Sequence, residues 1–310
     1  MPDSPPTFPP VPDWARVAGA RRAEGDAELF AGAALGGIHP IARSHHPLGQ
    51  LWRQRLALQS AEAIVRMQGR TEDAAALRDH FYLTRPGDDP GPAGRLLQAW
   101  RALGRGSSLG PASLNGEWPV IFTDLLSVTI DEPAQQVIDS ALAASVGTRN
   151  PIEAASATVA TSLALRPDSR PLALWLADAV LARRLNWAVP VPLLAAHLKR
   201  EELRLAAGPH ADAKRWRTAC SFAYGRGASV ALDLYADLAR RADRLLAVAP
   251  QLRSKDADAM VATLISEDAQ AAQSGRTVSD RSSRRLFERL VALGGVRELT
   301  GRPTFRLYGL

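Results

Sequence analysis

Helix-capping signals recur along most of this chain, and they limit its possible folds more than any other feature. At several positions a side chain that can cap a helix stands next to a proline in the first turn. Such a side chain accepts a hydrogen bond from a free backbone N–H, and proline has no N–H that would need a partner there. These starts are Asp89-Pro90, Asn150-Pro151, Ser169-Arg170-Pro171 and Asp131-Glu132-Pro133.

The residues between these starts also favour helices. Ala, Leu and Arg, which are strong helix formers, dominate from about Asp26 to Pro250. No alternation of polar and apolar residues with hairpin turns interrupts them. We therefore predict an all-α fold whose body is a bundle of many helices. The predicted helices lie near residues 27–37, 48–68, 72–84, 90–103, 117–127, 132–146, 151–165, 171–186, 191–200 and 211–248.

Both ends of the chain depart from this pattern. Residues 1–13 contain six prolines and little that could pack, which predicts a disordered, proline-rich arm over residues 1–25. An α-helical domain is expected over residues 26–250. After Pro250 the pattern changes, and we predict a separate domain over residues 251–310.

This C-terminal domain is predicted to be a winged helix-turn-helix. Ser254 can cap a helix near 256–268, and Ser279-Asp280 can cap a second one near 280–293. Residues that favour strands at 296–299 and 304–308 flank a turn that contains glycine, which predicts a small β-hairpin. In winged helices the second helix enters the major groove of DNA.

Positive charge is concentrated in the same segment. Between Arg276 and Leu310 there are eight arginines and three acids, whereas the net charge of the whole chain is +6. A basic segment on a nearly neutral body suggests a polyanionic partner. Charge alone leaves open a second interpretation, in which the arginines form an ordinary solvated face.

Double-stranded DNA is the partner that the predicted fold and the charge favour together. We expect contacts from the second helix through Arg281, Ser282, Arg284, Arg285 and Arg289, and from the wing through Arg302 and Arg306. The chain would then be a DNA-binding or regulatory accessory protein.

An alternative is a module for protein–protein interaction or dimerisation without DNA binding. In that case Phe287, Phe305 and Tyr308 would lie at the interface, and a homodimer is one possible assembly. The two hypotheses differ in whether the basic face stays exposed on the folded protein.

Two resemblances support this interpretation. SDRSSRRLFERLVALG at 279–294, VRELTGR at 296–302 and RLY at 306–308 resemble the C-terminal winged helix of many Fic-domain proteins. Most of the chain resembles a bacterial family, the domain of unknown function 1403, through RPGDDPGPAGR at 85–95, PLALWLADAVLA at 171–182 and the hairpin at 300–308. That family implies no activity. Fic nucleotidyl transfer is not expected, because no Gly-x-Gly-Arg anion nest follows His39-Pro40.

No catalytic, metal or cofactor site is predicted, and whether the protein is an enzyme is left open, with a non-enzyme favoured. Phosphate-loop, hydrolase and zinc-protease motifs are absent from the sequence. His39, His45 and His46 lie close together but have no neighbouring acid to complete a ligand set. Asp178 is expected in a buried ion pair with Arg183, Arg184 or a neighbouring helix. A helical pocket around Asp178 and Asp88-Asp89 is the enzyme hypothesis.

A cytoplasmic location without membrane contact is expected. The sequence has no apolar run of about 18 residues that could span a bilayer. Residues 1–6 also lack the basic start and the apolar stretch of a secretory signal.

Overall fold

The computed structural model describes residues 3–16, 26–85, 87–106, 110, 118–147, 150–252, 257–272, 280–301 and 304–310, with the backbone alone at 280–282. Helices dominate these residues, and the all-α prediction is confirmed. They are α1 (Ala27–Arg43), α2 (Leu48–Met67), α3 (Ala74–Tyr82), α4 (Gly91–Leu103), α5 (Trp118–Val120), α6 (Glu132–Ser145), α7 (Pro151–Leu165), α8 (Arg170–Arg184), α9 (Ala213–Val248), α10 (Ala257–Ser266) and α11 (Asp280–Ala292).

Three of the predicted caps are present, whereas Ser169 makes no side-chain capping bond and Ser254 and Ser279 lie outside the described residues. Asp131 Oδ1 accepts a hydrogen bond from the Ala134 N–H at 3.0 Å, and Asn150 Oδ1 accepts one from the Ile152 N–H at 2.9 Å. Asp89 Oδ1 accepts from the Gly91 N–H at 2.9 Å, where α4 begins. These bonds satisfy N–H groups that have no partner within the helix.

One predicted helix is wrong. The segment 191–200 contains only a 3-10 turn at Ala195–His197. Pro192 has no N–H to donate, and the N–H groups of Leu193 and Leu194 bond to the Asp178 carboxylate instead of to helical carbonyls. Two other helices end at residues different from those predicted. Helix α1 continues through Pro40 to Arg43, and α5 runs directly into a π-helical turn at Ile121–Leu125.

Buried tryptophans connect helices that are distant in sequence. Trp52 on α2 donates its indole N–H to the Ala231 carbonyl of α9 at 2.7 Å. Trp175 on α8 donates to Ala99 of α4, and Trp216 on α9 donates to Ser156 of α7, both at 2.9 Å. Each ring buries a large apolar surface while its one polar group is satisfied.

The proline-rich arm is not free over its described part, which corrects the prediction of disorder for residues 3–16. Val11 and Ala15 are buried in the core. The ring of Phe8 lies edge-on to Tyr235 of α9, with centroids 5.5 Å apart. Residues 17–25 lie outside the described part.

A small antiparallel sheet lies near the C-terminus. It consists of β1 (Gln270–Ala271), β2 (Arg297–Glu298) and β3 (Leu307–Gly309) in the order β1-β3-β2. The pairing of β2 with β3 confirms the predicted hairpin, whereas β1 was not predicted. Phe287, Leu290 and Leu310 belong to the same apolar core as the helical body. The domain boundary at residue 250 stays a prediction.

Gly227 lies where α9 packs closely against residues 193–197. A Cβ at this position would lie 3.0 Å from the Leu193 carbonyl oxygen and 3.1 Å from His197 Cδ2. Leu193 cannot easily move, because its N–H is bonded to a buried carboxylate. We expect Gly227→Ala to lower the melting temperature, although alanine favours a helix by about 1 kcal/mol.

The matched control is Gly32→Ala in α1, where no atom lies within 4 Å of the new Cβ. This change should raise stability by about 0.5–1 kcal/mol. Thermal unfolding followed by circular dichroism measures both. If both variants were stabilised equally, the packing at Gly227 would be looser than described.

Candidate nucleic-acid interface

Helix α11 has one buried side and one charged side. The buried side is apolar except for a serine and repeats every three or four residues, as an amphipathic helix requires. It consists of Ser283, Leu286, Phe287 and Leu290. The opposite side is exposed and carries Arg284, Arg285, Glu288 and Arg289.

An aromatic stack fixes the orientation of this helix. Phe287 lies parallel to Tyr308 of β3, with ring centroids 4.5 Å apart and an interplanar angle of 13°. Phe287 is completely buried, and Tyr308 is nearly so. The arginines on the other side of α11 therefore point away from the body. The stack also removes two of the three aromatic residues that the interaction-module alternative needs at an interface.

The hairpin turn is held by Glu298. Its Oε1 accepts hydrogen bonds from the N–H groups of Thr300 and Gly301, both at 2.8 Å, and from the Thr300 hydroxyl. Gly301 has a φ of +64°, which glycine adopts without strain. Phe305 has a φ of +54° and is 60% exposed, so the third aromatic residue projects into solvent.

The structure describes part of the predicted contact set. Arg284, Arg285, Arg289 and Arg306 are exposed. Arg306 borders a cleft of about 360 Å³ between α11 and the hairpin, together with Arg284 and Glu288. The side chains of Arg281 and Ser282 and the whole of Arg302 lie outside the described residues.

A second group of arginines adjoins this surface and was missed by the sequence analysis. Arg240, Arg241 and Arg244 of α9 and Arg297 of β2 line a cleft of about 380 Å³ next to Gly294 and Gly295. Asp237 pairs with Arg240 at 3.2 Å and with Arg241 at 2.7 Å. Burial, together with Arg241 and Arg78, lowers the pKa of Arg297. The arginines of α9 precede the basic segment 276–310 in the sequence, so the charge pattern did not indicate them.

A buried ion pair anchors the segment that leads from α10 into β1. Asp268 Oδ1 lies 2.6 Å from Arg55 Nε of α2, and Asp268 Oδ2 accepts from Arg78 Nε of α3 at 2.8 Å. Arg55 Nη2 also donates to the Leu310 carbonyl at 3.0 Å. Burial alone would raise the pKa of Asp268, but Arg55 and Arg78 outweigh it and hold that pKa below its ordinary value.

The neighbouring Glu267 makes a second set of contacts. It accepts from Arg101 Nη2 and Arg105 Nη2 at 2.9 Å, and from Gln50 Nε2 at 2.7 Å. The Arg101 guanidinium lies 4.1 Å above the Phe81 ring and donates to the Tyr82 hydroxyl at 3.0 Å. Helices α2, α3 and α4 thus all contact the start of the sheet.

Asp178 is buried as predicted, but its partners are not arginines, which corrects the expected ion pair. Its carboxylate accepts from the N–H of Leu193 at 2.9 Å and of Leu194 at 3.2 Å. Tyr224 lies beside it, although its hydroxyl makes no hydrogen bond of good geometry among the described residues. Burial raises the pKa of Asp178 to about 7, against the opposing effect of these N–H donors and Tyr224.

Three of the other candidate site residues have structural partners. His39 Nδ1 accepts from the Trp187 indole at 3.0 Å, and His46 bonds to the Leu48 N–H and the Asp3 carbonyl. Asp89 pairs with Arg95 at 2.8 Å. Within the described residues no group of three or more His, Cys, Asp or Glu is placed to hold a metal ion.

The family is settled by comparison. A model described as "Protein of unknown function (DUF1403)" matches residues 3–310, nearly the whole chain. The chain belongs to this family. No curated protein matches it. The likeness of the C-terminal segment to Fic-domain winged helices is not tested by this match and stays a prediction. No helix in the described part of this family member is long and apolar enough to cross a membrane.

Replacing Asp268 should destabilise the fold strongly. In Asp268→Asn the two buried arginines lose their counter-charge, and breaking a buried pair in this way costs about 3–5 kcal/mol. Asp243→Asn is the matched control, because Asp243 lies exposed on α9. Urea denaturation should show a large loss for the first variant and less than about 0.5 kcal/mol for the second. If the two variants had equal urea midpoints, the ion pairs of Asp268 with Arg55 and Arg78 would contribute little to the free energy of unfolding.

Asp178 should make stability depend on pH. Its pKa of about 7 in the folded protein lies above the value of an unfolded aspartate, so the folded state binds the proton more tightly. The resulting stabilisation is complete below a pH of about 4 and is lost as the pH rises to about 7, a total of about 4 kcal/mol. Asp178→Asn cannot titrate at this position. The free energy of unfolding of wild type, relative to that of this variant, should therefore fall as the pH rises from about 4 to about 7.

The measurement is urea denaturation at several pH values between 4 and 8, with Asp243→Asn as the control that should run parallel to wild type. A constant difference between wild type and Asp178→Asn would show that the carboxylate ionises in the core without penalty.

Proposed function

We propose that this protein binds double-stranded DNA through α11 and the C-terminal hairpin, as a DNA-binding or regulatory accessory protein in the cytoplasm. The observation that carries the proposal is the charged side of α11. Its described arginines, Arg284, Arg285 and Arg289, are exposed, while Leu286, Phe287 and Leu290 on the other side of the same helix are buried. Apart from Val291, the described exposed side of this helix offers a protein partner no large apolar residue, and it presents guanidinium groups suited to phosphates and guanines.

The order of elements supports a winged helix. A basic helix is followed directly by an antiparallel hairpin, and β1 completes the sheet on the far side of β3. A helix that protrudes beside such a hairpin can enter the major groove while the hairpin reaches the backbone. Arg306 lies exposed on the hairpin immediately before β3, and a guanidinium there is suited to a backbone phosphate.

The neighbouring arginines of α9 would extend the contact with the backbone. Arg244 and Arg297 form no ion pair within the part of the chain that the structure describes. Guanidinium groups in this position can contact phosphates beside the groove without reading sequence. Glu288 opposes binding unless it accepts a hydrogen bond from a cytosine amino group.

Binding to a random duplex at low salt tests the proposal without knowledge of a target sequence. Non-specific duplex binding depends on salt, and four to five neutralised phosphates give a slope of log K against log salt of roughly −4. The triple variant Arg284→Ala/Arg285→Ala/Arg289→Ala should weaken binding more than tenfold and flatten the slope by about two to three units. Fluorescence anisotropy measures both.

The matched control removes three exposed arginines from other helices, Arg66, Arg183 and Arg215, and has the same net charge. It should bind nearly as wild type does. Absence of binding at micromolar protein, or equal weakening in both triple variants, would contradict a specific role for α11.

An interaction module is favoured by one observation only, the exposure of Phe305 at 60% and Val291 at 41%. If these residues formed a homodimer interface, Phe305→Ala would lower the mass measured by light scattering and leave duplex binding per protomer intact. A monomeric wild type would exclude this use of Phe305.

A further inference from the structure

A second basic region lies in a cleft formed by the end of α7, the start of α8 and residues 200–210. The cleft has a volume of about 490 Å³. Four cationic or titratable basic side chains line it: Arg170, Arg200, Arg204 and His210. Leu163 and Leu203, both buried, lie beneath them. None of these residues belongs to α11, α9 or the hairpin.

The arginines of this cleft have no counter-charge among the residues that the structure describes. The acids nearest in sequence are engaged elsewhere. Glu202 accepts from the Lys199 N–H at 2.7 Å, and Glu201 lies 3.9 Å from Lys199 Nζ. Asp168 pairs with Arg166 at 3.6 Å. Guanidinium groups in one concave site repel one another, and an anion bound between them would relieve that repulsion.

The start of α8 adds to the positive potential. Arg170 is its first residue, and Ser169 at the N-cap makes no side-chain capping bond. The first turn therefore contributes partial positive charge in addition to the arginines. On the opposite wall, Gly208 has a φ of +87° and forms the bend that returns His210 to the cleft.

The floor of the cleft limits the class of ligand. Ala164, Pro167, Ala207 and Pro209 give the cleft a partly exposed apolar lining above the buried Leu163 and Leu203, and a purely inorganic anion would leave that lining in water. A cleft of this volume is within the range of small-molecule sites, which combine an apolar lining with a few polar groups. We propose that it binds a small organic anion whose phosphate or carboxylate group meets Arg170, Arg200 and Arg204 and whose apolar part lies against this apolar lining.

Isothermal titration at low ionic strength tests this with hexyl phosphate, hexanoate and inorganic phosphate. Binding of hexyl phosphate or hexanoate is expected, and the tighter of the two identifies the head group. Inorganic phosphate should bind at least tenfold more weakly than hexyl phosphate, because it does not contact the floor. Equal affinities, or no binding of either hexyl compound at millimolar concentration, would overturn the proposal.

Variants locate the site. Arg204→Ala and Arg200→Ala should each weaken binding of the preferred hexyl compound about tenfold or more, since each removes charge-assisted hydrogen bonds. Arg204→Lys should recover only part of the loss, because lysine lacks the planar fork. Arg66→Ala is the control, an exposed arginine on α2 that should not change binding.

Thermal unfolding of each variant verifies that the fold is intact. Unchanged affinity in a folded Arg200→Ala/Arg204→Ala double variant would place any observed binding elsewhere and refute the site. Duplex binding by α11 is measured separately, so failure of one proposal leaves the other standing.

Discussion

Asp268 is enclosed between Arg55 of α2 and Arg78 of α3, and this contact determines where the C-terminal elements can lie. Gln54 fixes the same residue through its backbone, because its Oε1 accepts from the Asp268 N–H at 2.8 Å. A buried carboxylate between two arginines cannot move without leaving charges unpaired. Strand β1 begins two residues later, β3 pairs with β1, and Tyr308 of β3 holds α11. The outward direction of the α11 arginines thus follows from an ion pair in the body.

Most of the acids near the basic surface are held at fixed places by hydrogen bonds or ion pairs. Glu298 is committed to the hairpin turn, Asp237 to two arginines of α9, and Glu267 to Arg101 and Arg105. Each of these carboxylates stabilises local structure at a fixed place. Glu288 remains on the exposed side of α11 beside Arg284 and Arg285. The potential in front of the helix therefore depends on which acids are used in packing, which net charge does not reveal.

Local signals made much of the fold predictable, and contacts between distant residues account for the failures. Caps at Asp131 and Asn150 act within a few residues and gave correct helix starts. Residues 191–200 do not form the predicted helix because the Leu193 N–H bonds to Asp178. The N-terminal arm is packed because Phe8 contacts Tyr235, more than 200 residues away in the sequence. Strand β1 has two residues, too few for an alternating pattern. The exposed arginines of α11 were predictable from helical period, whereas those of α9 join them only in three dimensions.

The exposed side of α11 and the cleft beside α8 are both rich in arginine but differ in shape. Each therefore suits a different class of ligand. The arginines of α11 lie along the outer side of a helix, which suits an extended polyanion whose affinity comes from many weak phosphate contacts. The cleft beside α8 is concave and has leucines beneath its arginines, which suits one small anion. Helix α9, with 36 residues and a length of about 54 Å, packs near both regions. A long helix couples two regions only if it has two stable positions. A ligand at the cleft would therefore change duplex affinity only if its own affinity differed between those two positions of α9.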